Sequence, residues 1–152
     1  MSTLTNSRIV RGAVVATVAG GAVAGAISFG FAAPAATSHT LKFTSSTIAD
    51  HISGFYDIAA NVEKHNGKVV GYDTTDCHMN IQTKTARCVV DIARSEGTMR
   101  GTINLNLTTG VGTGKVTGGT RAYKGATGSI SGRSAGGTAK NPQTAVTIRY
   151  QS

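Results

Sequence analysis

Thr98-Met99-Arg100-Gly101-Thr102-Ile103-Asn104-Leu105-Asn106-Leu107-Thr108 decides the fold class. Met99, Gly101, Ile103, Leu105 and Leu107 fall on one side of an extended chain, and Arg100, Thr102, Asn104, Asn106 and Thr108 fall on the other. A period of two over this length marks a strand with one face buried and one face wet. Working outward, the same signal recurs and helical periodicity is nearly absent. Phe55 to Val62 alternates, with Tyr56, Ile58, Ala60 and Val62 on one side and Asp57 and Asn61 on the other.

His65-Asn66-Gly67-Lys68 supplies an Asn-Gly turn, which tolerates positive φ at both central positions and so joins antiparallel strands. It leads into a strand over 68–79, and Ala86 to Ala93 returns across Gln82-Thr83. Shorter strands are expected over 41–46, 114–117, 128–134 and 145–150. About eight short antiparallel strands with glycine-rich turns read as a barrel or a sandwich. A small closed barrel is the expectation, because closure removes the exposed sheet edges.

The amino terminus carries Arg8 and Arg11 and then the uncharged run Gly12 to Phe31, which ends in Ala33-Pro34-Ala35. That is the layout of a secretory signal peptide over residues 1–35, cleaved after Ala35. The expected product is a secreted, extracellular domain over residues 36–152 with no stable membrane anchor. Cys77 and Cys88 are the two cysteines of the chain, and an even count in an oxidising compartment reads as a disulfide. If the two face each other in the hairpin, the register puts Asp73 opposite Ile92, on the face that carries Val90.

The chain has 15 Lys and Arg against 7 Asp and Glu. The last acidic residue is Glu96, after which Arg100, Lys115, Arg121, Lys124, Arg133, Lys140 and Arg149 follow alone. These cations are spread singly, without a dense patch or a row of stacking aromatics, so no nucleic-acid partner is expected. Attraction to an anionic envelope polymer is the partner that such a half suggests.

Gly118-Gly119-Thr120-Arg121-Ala122-Tyr123-Lys124-Gly125-Ala126-Thr127-Gly128 is the most distinctive segment. It resembles the Gly-Gly-Thr-Gly-x-aromatic-x-Gly-Ala-x-Gly signature of the allene oxide cyclase barrel-like superfamily, which includes the plant dirigent proteins and many exported bacterial domains. The resemblance implies a β-barrel whose Tyr123 covers one end. By fold alone it also implies a barrel that binds a small apolar or amphipathic molecule, with an isomerase or cyclase activity if it is an enzyme. Arg121 departs from the pattern, standing where the signature has glycine. Should that position need positive φ, arginine carries a local strain.

Other chemistry is demoted. Gly110-Val111-Gly112-Thr113-Gly114-Lys115 lacks the spacing and the following hydroxyl residue of a phosphate loop. His39, His51, His65 and His78 are scattered without ligand spacing, so neither a metal site nor another cofactor is expected. Asp57 and Asp73, with Tyr56, Tyr72 and Tyr150, are the expected polar groups of a ligand-binding interior. Two functions stay open: a ligand-binding barrel, or a non-catalytic envelope-binding module that uses the basic glycine-rich half. No feature sets an oligomeric state.

Overall fold

Thr85 to Arg94 alternates between exposed and buried positions almost without exception, placing Ala86, Cys88, Val90 and Ile92 on the inner face. In the computed structural model, which describes residues 36–152, this segment is the fourth of eight antiparallel strands. They are β1 (Ser38–Ser53), β2 (Tyr56–His65), β3 (Lys68–Asn80), β4 (Thr85–Arg94), β5 (Gly97–Asn106), β6 (Val111–Gly119), β7 (Thr127–Gly137) and β8 (Pro142–Gln151). Each strand pairs with its neighbours in sequence, and β8 returns to β1 to close the barrel. The expected signal peptide lies outside the described residues.

Cys77 and Cys88 form the expected disulfide, directly paired across β3 and β4. The same register sets Asp73 opposite Ile92. β1 runs longer than its sequence pattern suggests, because a bulge between Thr47 and Ala49 breaks the alternation while pairing with β2 continues to Ser53. Four hairpin turns gather at one end of the barrel: β1–β2, β3–β4, β5–β6 and β7–β8.

The opposite end is closed. A single 3-10 turn, Arg121–Tyr123, follows β6, and Tyr123 is buried with Met99, Ile130, Ile148 and Ala126. Its ring meets Tyr150 edge-on at 5.6 Å, and Tyr150 stacks on His39. Gly119 permits this closure, since an added Cβ there would collide with the Thr98 carbonyl and with Tyr123. Arg121 adopts φ +51°, so arginine does occupy a left-handed position where the resembling signature has glycine.

Glu63 lies fully buried near this end, with Oε2 2.8 Å from the Nε of Arg94 and 2.7 Å from its Nη2. The guanidinium also sits 4.8 Å over the Phe43 ring. Gly71, paired with Glu63 across β2 and β3, leaves room for the ion pair; a Cβ there would stand 2.8 Å from Oε2. Burial pushes the Glu63 carboxyl up to about 7, against the pull of Arg94.

Two outcomes follow for stability. Replacing Arg121→Gly relieves the left-handed arginine and should raise stability by about 0.5–1 kcal/mol, read as a higher midpoint in thermal unfolding. An unchanged or lowered midpoint would show that the turn holds arginine without strain. Between the ordinary carboxyl value of 4.5 and about 7, the folded state holds a proton on Glu63 that the unfolded chain releases. Stability contributed by this group is therefore full at low pH and is lost as pH rises through 7, by at most about 3 kcal/mol. Urea titrations of wild type and Glu63→Gln across that range should show a slope that the variant flattens.

Candidate functional site

Closure sorts every strand residue into an inner or an outer position, because successive side chains point to opposite faces. Between the plugged end and the four hairpins, the inner positions enclose a cavity of about 280 Å³. Most of its wall is apolar: Phe43, Val90, Ile92, Ile103, Leu105, Ile130 and Val146. The disulfide forms part of the same wall. Its polar side chains come chiefly from three adjacent strands: Ser45 and Thr47 on β1, Asp57 and Asn61 on β2, and Asp73 and Thr75 on β3, with Thr144 of β8 beside them.

Within that stripe the hydrogen bonds form one ordered network. Ser45 Oγ donates to Asp73 Oδ2 at 2.8 Å, and Asn61 Nδ2 donates to Asp73 Oδ1 at 2.7 Å. Thr47 Oγ1 donates to Asn61 Oδ1 at 2.8 Å, which fixes the amide so that its NH2 faces the carboxylate. Asp73 is thus buried, oriented by two donors and turned toward the cavity. Burial raises its carboxyl above the ordinary range, with the Ser45 and Asn61 hydrogen bonds opposing.

Asp57 is a contrasting group. It stands four residues along β2 from Asn61, about 13 Å nearer the hairpin end. Its Oδ1 is buried and has no hydrogen-bond partner among the described residues. Burial is the main reason its carboxyl is raised, and the nearby Asp50 adds to it. The two carboxyls therefore differ in task. Asp73 is a held acceptor, whereas Asp57 has an oxygen free to receive a donor or, when protonated, a proton to give.

Of the five residues expected inside, Asp57 and Asp73 line the cavity. Tyr150 points inward but lies deeper, in the plug beside Tyr123, and burial raises its hydroxyl. Tyr56 and Tyr72 do not face the interior: they are 55% and 56% exposed on the outer surface. The reason is elementary strand geometry, since Tyr56 adjoins Asp57 and Tyr72 adjoins Asp73, so one member of each pair must turn outward. On β2 the apolar side, with Tyr56 and Ile58, faces solvent, and the polar side faces in. Ser45, Thr47, Asn61 and Glu63 were not singled out from the sequence. The available signal was that Asn61 and Glu63 share the face of Asp57.

At the hairpin end, large apolar side chains remain exposed. Ile52 pairs with Asp57 and so shares its face, and Phe55, Ile81 and Leu107 lie in or beside the neighbouring turns. Among the described residues no cluster of three His, Cys, Asp or Glu side chains is placed to hold a metal ion. No helix there is long and apolar enough to cross a membrane.

No protein-family model and no curated protein matches the sequence. Solved structures do match in fold. One is a pterocarpan synthase dirigent protein, at a TM-score of 0.63 and 15% identity, covering 76% of this chain and 88% of that one. A second pterocarpan synthase dirigent protein gives a TM-score of 0.58 at 14% identity, over 76% of this chain and 95% of that one. Pyocyanin demethylase gives a TM-score of 0.56 at 20% identity, over 74% of this chain and 99% of that one. At these identities the likeness is one of architecture: the chain shares the closed barrel of the dirigent proteins.

Proposed function

We propose that the barrel binds a small, mostly apolar molecule in its interior and steers an isomerisation or cyclisation of it. The observation that carries this reading is the unpartnered, buried Oδ1 of Asp57 in a cavity whose wall is mostly apolar. A buried polar oxygen without a partner costs about 1–3 kcal/mol, and a ligand hydroxyl or amide would recover that loss. The cavity, at about 280 Å³, lies just under the usual lower bound of about 300 Å³ for small-molecule sites, which suits a small ligand of one or two rings. The resemblance and the dirigent-like architecture support the same reading by analogy.

Mechanistically, shape and two carboxyls at different depths are enough for a proton-neutral rearrangement. A protonated Asp57 donates to a ligand oxygen near the mouth, while Asp73, held by Ser45 and Asn61, accepts a proton or stabilises developing positive charge deeper in. The apolar wall keeps water out, which strengthens both interactions and confines a reactive intermediate to one folded conformation. The export signal that the sequence pattern predicts over residues 1–35 gives the proposal its setting: a secreted barrel acting outside the cell.

Filling the cavity tests the binding step directly. Ala59 lines it from β2, so Ala59→Phe should weaken uptake of the fluorescent probe N-phenylnaphthylamine by about tenfold or more, with the thermal midpoint nearly unchanged. Asp57→Leu removes the unpartnered oxygen and should leave the apolar probe bound as well as before or more tightly. A probe that binds the filled variant and wild type equally would place binding outside the barrel and overturn the proposal.

A further inference from the structure

Because the strands follow one another around the barrel, position in the chain becomes position around the circumference. All seven carboxylates lie between Asp50 and Glu96, on the second half of β1, on β2 to β4 and in the turn after β4. Strands β5 to β8 carry none. Their outer faces, continued by the first half of β1, form rows that the pairing defines. Lys115, Ser129, Arg149 and Thr40 make one row across β6, β7, β8 and β1. Thr113, Ser131, Thr147 and Lys42 make the next, and Val111, Arg133, Ala145, Thr44 and Lys64 the third.

The chemistry of this flank is distinctive. Cations stand singly on a bed of Ser and Thr hydroxyls, and among the described residues none of the five has an acidic partner within ion-pair distance. Arg100, at the boundary, is already paired with Asp91 at 2.9 Å. A shallow depression beside Arg149 is lined by Ser38, Thr127, Ser129 and Gln151 and adds hydrogen-bonding groups next to that charge. Lys115 and Arg149 are two strands apart in one row, about 10 Å.

We infer that this flank, whose strands β5 to β8 carry no acidic side chain, is a docking surface for a linear polysaccharide carrying sparse carboxylates. Charge complementarity commits it to an anion. The spacing of the cations suits a polymer with a charge on every other sugar far better than duplex nucleic acid, with one charge per about 1.7 Å. No aromatic side chain stands on these outer rows to stack a base. The rows likewise lack the broad apolar face that inserts into a lipid surface. Ser and Thr hydroxyls between the cations both donate and accept, as sugar hydroxyls require. This surface is separate from the cavity, so its occupancy does not depend on the interior binding a ligand.

Hyaluronan, with a carboxylate on every other sugar, is the probe, titrated against the disulfide-intact chain at several salt concentrations. Binding should be present at low salt and fall steeply as salt rises. The combined variant Lys42→Gln, Lys115→Gln and Arg149→Gln should lose at least about tenfold in affinity. A control with the same loss of charge on the carboxylate-bearing strands and their turn, Lys68→Gln, Lys84→Gln and Arg87→Gln, should stay within about threefold. All six side chains are exposed, so thermal midpoints check that both variants fold. Absence of hyaluronan binding by the folded wild type would overturn the inference, as would equal losses in the two variants. Tighter binding of duplex DNA than of hyaluronan, lost in the first variant, would reassign the surface to nucleic acid and equally overturn it.

Discussion

The ladder between β1 and β8, from Ser38–Gln151 to Ser46–Gln143, is the contact on which everything else rests. Without it the chain is an open meander with two bare edges, and strand residues have no enforced inside. With it, backbone groups are satisfied around the ring, and each side chain is committed to one of two environments. Glu63, Asp73, Asn61 and Ser45 are held in the interior by that commitment, although none of them would enter a core by its own hydrophobicity. The structure accommodates them with an ion pair, a closed hydrogen-bond network and a glycine at position 71.

Much of the architecture was legible from local pattern. The alternation after Thr98, the Asn-Gly turn and the cysteine spacing suffice for an eight-stranded antiparallel fold, and the disulfide fixes the β3–β4 register that pairs Asp73 with Ile92. What local pattern does not carry is which face of a strand turns inward. On β2 hydrophobicity points the wrong way: Tyr56 and Ile58 lie outside, and Asp57 and Asn61 inside. That choice belongs to the whole ring, because the register with β3 must keep Asp57 on the face of Cys77. The second half of β1 lacks a legible strand pattern for a different reason, since the bulge after Thr47 shifts the phase of its alternation.

The interior divides into parts with separate duties. Tyr123, Tyr150 and the Glu63–Arg94 pair plug one end and give the barrel a floor. Above them, a polar stripe on three neighbouring strands faces an apolar wall on the others, so the interior has two chemically distinct sides. The glycine signature belongs to the floor and not to the cavity. That placement fits barrels that share the closure of their end while differing in what they hold.

The simple strand order has an electrical outcome. Carboxylates gathered on one side of the circumference and unmatched cations on the other give the barrel a permanent dipole across its width, roughly perpendicular to the axis that runs from floor to mouth. In the field of a negatively charged surface such a molecule experiences a torque before it makes any contact, within a few times the screening length of about 8 Å. It arrives on its side, with its mouth facing along the surface.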